Sequence, residues 1–197
     1  MLANSILVLL LLQFCLPAYS QRKVSHFDVL RNGSKVGTIK FTQTSVGMID
    51  TLEMESNVQI KFVSTFKANG KETAIFHNGI LLKSSIYREL NGKEKANKKH
   101  EAKNNQYIIS KGRDSKILKS YPISYNMLSL YAREPVQIDK VYSDNFESFI
   151  SIQKMSDHKY KIILPDGDYN NYTYKDGELQ QVEIHQSLYS AIFVRAN

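Results

Sequence analysis

Five histidines, at positions 26, 77, 100, 158 and 185, are the first residues to weigh for chemistry. No two of them share the short spacing at which a turn or helix presents paired metal ligands. A site would need several of them brought together from distant segments, so no metal residue is assigned. Asp166 and Asp168, with Asn170 beyond them, alternate as the oxygen ligands of a hard cation do. The distal Glu of a calcium loop is missing, and a plain turn accounts for them better. The chain has no G-x-S-x-G elbow, no phosphate-cradling glycine loop and no H-E-x-x-H pair. A Ser-His-Asp set drawn from separate strands stays open, because such a set leaves no local trace. No catalytic residue and no cofactor are assigned.

What remains is the chemistry of binding. The chain carries 12 Tyr and 9 Phe but no Trp. Phenol rings suit the rim of an apolar groove, where one end is dry and the other wet. Tyr172 and Tyr174, on one strand at alternate positions, and Met127, Leu128 and Tyr131, at helical spacing, are the candidates for contact with an apolar or amphiphilic ligand. The net charge of +7 raises the question of nucleic acid, but export (below) argues against it. Lys93, Lys95, Lys98, Lys99 and Lys103 fall in one stretch, KEKANKKHEAK. It reads as a solvated hairpin arm or loop that meets anionic surfaces peripherally.

These residues must be held by strands. Six of the 9 glycines follow Asn or Asp, in Asn32-Gly33, Asn69-Gly70, Asn78-Gly79, Asn91-Gly92, Asp166-Gly167 and Asp176-Gly177. Such dipeptides tolerate the positive φ that two-residue hairpin turns require. The runs between them are β-branched and aromatic, and Ile39 and Phe41 alternate with polar neighbours at period two. The expectation is all-β: a strongly curved antiparallel meander, half-barrel or barrel, of about a dozen strands. Curvature is expected because a long flat sheet would expose long edges. One segment breaks the pattern. Ser124 to Ala132, bounded by Pro122 and Pro135, has the spacing of a short helix of about two turns, packed on one sheet face as a plug or lid.

Fifteen of residues 1–20 are apolar and none is charged, and Pro17 and the small residues Ala18 and Ser20 precede Gln21. This is the pattern of a secretory signal peptide cleaved after Ser20, although no Lys or Arg precedes the apolar block. Phe14 stands where a lipoprotein signal before Cys15 needs a small side chain, so no lipid anchor is expected. Residues 21–197 then form a single domain, periplasmic or secreted. The only cysteine, Cys15, lies in the leader, so the mature domain has no disulfide.

Several phrases carry a resemblance: FDVLRNGSKVGTIK from Phe27, FHNGILLKSS with RELNGKEK after it, LYAREP at Leu130–Pro135, YSDNFESF at Tyr142–Phe149, and YKIILPDGDYNNYTYKDGEL at Tyr160–Leu179. They resemble an exported bacterial family of unknown function. The resemblance covers most of residues 21–197 and implies a single antiparallel β domain similar to the curved half-barrels of lipoprotein carriers. It supplies no catalytic residue. The family usually has a larger aromatic where this chain has Ala132. In LYAREP the expected reading is a helix end, an exposed Glu134, and Pro135 starting a strand.

The function expected is that of an exported envelope protein, non-enzymatic, binding an apolar or amphiphilic ligand or an envelope partner. Two alternatives are a hydrolase of envelope material and a structural subunit pairing through a sheet edge. Convergence of a His, a carboxylate and a Ser in a polar cleft would favour the hydrolase.

Overall fold

The structure is a computed structural model that describes residues 20–61, 65–119, 122–187 and 189–196. The apolar leader, residues 1–19, lies outside the described residues. Among those described, no helix is long and apolar enough to cross a membrane.

Two runs of hairpins make one sheet. The first is β1 (Gln21–Arg31), β2 (Ser34–Val46), β3 (Ile49–Lys61), β4 (Thr65–His77), β5 (Ile80–Leu90), β6 (Lys93–Lys103), β7 (Gln106–Lys111) and β8 (Asp114–Leu118). The second is β9 (Lys140–Ser143), β10 (Ser148–Ser156), β11 (Lys159–Ile163), β12 (Tyr169–Lys175), β13 (Glu178–Gln186) and β14 (Tyr189–Arg195). All 14 strands are joined, in the order β8-β7-β6-β5-β4-β3-β2-β1-β14-β13-β12-β11-β10-β9. The first and last strands pair at the middle, with Phe27 opposite Arg195 and Val29 opposite Phe193. The sheet is curled but not closed, and its two edges are β8 and β9.

Alternation explains which face is inside. Phe27 and Val29 on β1, Ile39 and Phe41 on β2, and Ala74 and Phe76 on β4 are buried, while their neighbours are less so. Asn32-Gly33, Asn78-Gly79, Asn91-Gly92 and Asp176-Gly177 all have positive φ at both positions, from 48° to 76°, as tight left-handed turns require. Asp166-Gly167 is a wider turn. Gly167 donates to the Leu164 carbonyl at 3.0 Å, and only the glycine has positive φ.

Asn69-Gly70 is no turn at all. It lies inside β4, with Gly70 opposite Ser56. Asn69 is held sideways, accepting from Asn57 Nδ2 and donating to Glu89 Oε1, both at 2.7 Å. A Cβ on Gly70 would stand 2.6 Å from Ser56 Oγ, so the glycine answers a close approach between strands.

Lys93–Lys103, expected as an arm or loop, is the full strand β6. Its inward positions need only Ala96, Lys98, His100 and Ala102, so a lysine-rich sequence still pairs on both sides. β8 is a further strand. Pro135 does not start a strand: Val136 and Gln137 form a turn, Gln137 with φ of 61°, and β9 begins only at Lys140. The helix, α1, is Ser129–Ala132, a single turn rather than two.

Candidate functional site

Residues 122–139, ahead of β9, cross the inside of the curl. Ile123 accepts from the Leu81 amide on β5 at 2.8 Å. The Tyr142 amide then donates to Tyr125 O at 2.9 Å, and the Met127 amide to Tyr142 O at 3.0 Å, so Tyr125–Met127 runs parallel beside β9 and covers its edge. This pairing is why the helix starts late. Asn126 Oδ1 accepts from the Ser129 amide at 3.2 Å and from its hydroxyl at 3.1 Å, opening α1. The plug is fastened to the far wall too. Tyr174 donates to Leu130 O at 2.8 Å, and Tyr160 to Glu134 Oε1 at 2.7 Å. His158 Nδ1 lies 3.1 Å from both Glu134 oxygens. Glu134, expected to be exposed, is thus a buried anchor, its side chain 6% accessible.

Between the plug and the two walls lies a groove of about 580 Å³. Met127, Leu128 and Tyr131 line its floor, Leu128 buried and the other two half-buried. The Tyr131 ring meets Phe27 edge-on at 5.6 Å and Phe41 at 5.7 Å. Ile39, Met54 and Ile86 line one wall, and Tyr172, Ile184 and Phe193 the other. Of the ligand candidates, Tyr174 alone is not among the lining residues; its ring packs edge-on against Tyr160 at 5.7 Å. Burial pushes the phenols of Tyr131 and Tyr172 well above their ordinary values, so both stay protonated donors.

Four charged groups that line this groove, Glu72, Arg88, Glu89 and Asp144, were not singled out from the sequence. Glu72 on β4 and Arg88 on β5 share the inward face with Ala74 and Ile86, and pair at 2.5 Å. The available signal was their parity with the apolar positions of their own strands.

Beside the groove is a polar knot. Asp144 accepts from Ser84 of β5 through Oδ1 and from Asn126 Nδ2 at 3.0 Å through Oδ2. His100 Nδ1 stands 3.5 Å from the same Oδ1. A serine, a histidine and a carboxylate therefore do converge, but in the wrong order for nucleophilic catalysis. The Ser84 hydroxyl donates to the carboxylate rather than to an imidazole, and both nitrogens of His100, which stands opposite Ser84 across the β5–β6 ladder, lack a hydrogen-bond partner among the described residues. Ser84 and His100 are also buried, at 4% and 1% exposure. Burial raises the Asp144 carboxyl to about 6, against the opposing pull of the Ser84 and Asn126 hydrogen bonds. Burial lowers the His100 imidazole to about 4. The arrangement ties the plug to β5. Next to it, Lys98 donates to Asn145 O and to Glu147 Oε1, both at 2.7 Å, and Lys116 of β8 pairs with the other Glu147 oxygen. Side chains thus staple the open seam between β8 and β9.

The lysines therefore do not share a face. Lys98 is turned inward, Lys95 lines the groove, Lys99 and Lys103 lie on the outer face of β6, and Lys93 is exposed at its start. No group of three or more His, Cys, Asp or Glu side chains fit for a metal occurs among the described residues. Asp166 instead accepts from the Asp168 amide at 3.2 Å, and Asp168 from the Ser187 amide and hydroxyl at 2.9 and 2.8 Å. Ala132 borders a small hollow of about 70 Å³.

A curled antiparallel sheet, plugged from within and grooved along the plug, defines a β-barrel-like domain. The chain belongs to the family described as Domain of unknown function (DUF6134), whose model matches residues 27–196. It is similar in fold to a solved Brucella abortus structure, titled a beta-barrel-like protein of domain of unknown function DUF1849. The TM-score is 0.60 at 7% identity, covering 89% of this chain and 95% of that one. No curated protein matches the chain. Neither likeness carries the expected similarity to lipoprotein carriers.

Proposed function

We propose that the protein is an exported, non-enzymatic binder of an amphiphilic ligand, held in the groove between the plug and the curled sheet. The observation that carries this reading is the groove itself. Its volume of about 580 Å³ falls in the range of small-molecule sites, and its lining combines aliphatic walls with phenols and one inward ion pair. The leader pattern supports export. The knot of Ser84, Asp144 and His100 supports fastening over hydrolysis, because the buried Ser84 hydroxyl donates to Asp144 and not to His100. The sheet-edge reading finds little support. The β9 edge is already covered, and β8 is short and carries Asp114 and Lys116, features that blunt edges.

The test is binding of an uncharged apolar dye, N-phenyl-1-naphthylamine, to the purified protein and to Ala68→Trp, which sets an indole into the groove. The wild-type protein should bind the dye saturably. The variant should bind it at least about tenfold more weakly with an unchanged melting temperature. Absence of dye binding by the wild type, or equal binding by both, would refute the proposal.

A further inference from the structure

The charges in the groove say what kind of head group it takes. Most of them are committed. Asp144 is held by Ser84 and Asn126, Asp168 by Ser187, and Asp166 by the Asp168 amide. Glu89 accepts from Asn69 at 2.7 Å and from Tyr87 at 3.2 Å.

The Glu72–Arg88 pair is different. Arg88 reaches Glu72 through Nε at 3.2 Å and Nη2 at 2.5 Å, and both contacts fall on the same oxygen, Oε1. Glu72 Oε2 and Arg88 Nη1 have no hydrogen-bond partner among the described residues. The pair is not sealed off, since the Arg88 side chain is 45% accessible and that of Glu72 12%. On the opposite wall Asn170, 7% exposed and lining the groove, has a buried Oδ1 without a partner. The site thus offers one anion and one cation side by side, each with bonding capacity left, over an apolar floor, with the exposed Lys95 as a further cation of the lining.

A simple anionic amphiphile would reach Arg88 only beside the negative charge of Glu72. An uncharged one would leave both charges unanswered. A head bearing both signs answers each with its opposite, in a setting where charge-assisted hydrogen bonds are strong. We propose, building on the groove as a binding site, that the ligand is a single-chain zwitterionic amphiphile. Its phosphate bonds Arg88, its ammonium bonds Glu72, and its tail lies along Met127, Leu128, Ile184 and Phe193.

The test measures displacement of the apolar dye by three amphiphiles of equal chain length. These are lysophosphatidylethanolamine (zwitterionic), lysophosphatidylglycerol (anionic) and a monoacylglycerol (uncharged). The zwitterion should bind the wild-type protein about tenfold more tightly than either of the others. Glu72→Gln should shift the preference to the anion. Arg88→Gln should bring the zwitterion down to the uncharged lipid, each affinity being read relative to that variant's own dye Kd. Equal binding of all three lipids, or preference of the wild type for the anion, overturns the head-group inference while the groove reading stands. Failure of the wild type to bind dye or any lipid overturns both.

Discussion

The Tyr174 hydroxyl on β12 donates to the main-chain oxygen of Leu130 at 2.8 Å, so the plug is bonded directly to the wall it faces. Both residues are buried. Tyr174→Phe leaves that carbonyl without its donor and should destabilise the protein by roughly 1–3 kcal/mol in urea unfolding. Leu128, 3% exposed, packs in the same plug, and Leu128→Ala should cost about 2–5 kcal/mol. Losses under about 0.5 kcal/mol, the range of surface substitutions, would show the segment to be a loose lid.

Two glycines that each follow an asparagine should respond differently. Gly79 has φ of 74° and nothing within 4 Å of an added Cβ. Gly79→Val therefore meets only backbone strain, about 1–3 kcal/mol, and should lower the melting temperature without touching dye binding. Gly70 lies in extended β4 and lines the groove. Gly70→Val meets Ser56 Oγ, the free end of a short side chain, and should weaken dye binding instead. Equal loss of stability in the two variants would contradict the assignment of Gly70 to strand.

Burial displaces Asp144 and His100 in opposite directions, so their effects on stability oppose each other. Asp144 titrates near 6 in the folded state against 3.8 ordinarily. The folded state holds that proton more tightly, and the contribution falls as pH rises through that window. His100 titrates near 4 against 6.5. There the unfolded state binds the proton more tightly, and the contribution rises with pH. Between about pH 4 and 6 the two slopes offset each other. Relative to wild type, Asp144→Asn should lose stability as pH falls through this range, and His100→Gln should gain it. Urea midpoints measured across the range check both signs; parallel profiles in all three proteins would contradict the buried placement of the two groups.

Export predicts an amino terminus at Gln21 in protein recovered from the envelope or medium. The small residues Ala18 and Ser20 carry this. Amino-terminal sequencing decides it, and Met1 retained on the envelope-associated protein would contradict it.

The hairpins were legible where a local rule suffices. Asn32-Gly33, Asn78-Gly79, Asn91-Gly92 and Asp176-Gly177 turn because their backbone demands positive φ, a property of the dipeptide itself. Asn69-Gly70 looks the same in sequence. Its place in β4 is set by Asn57, Glu89 and Ser56, residues of neighbouring strands. The pairing of β1 with β14 is equally non-local. So is the short helix: Tyr125–Met127 falls within the segment expected to be helical, but the β9 edge needs a partner and takes those residues. Met127, Leu128, Tyr131 and Tyr172 were readable as apolar positions on their elements. Glu72 and Arg88 were not, because a charge on an alternating strand reads as solvent-facing until the face of that strand is known, and Asp144 was not, because it lies in the turn after β9, where a charge reads as solvated.

An occupied groove is the centre of the proposed function, and native mass spectrometry of the protein purified without detergent from its own cells tests it most directly. It should show one adduct per chain with the mass of a single-chain amphiphile, reduced in Ala68→Trp. A bare protein mass under gentle ionisation, in wild type and variant alike, would contradict it.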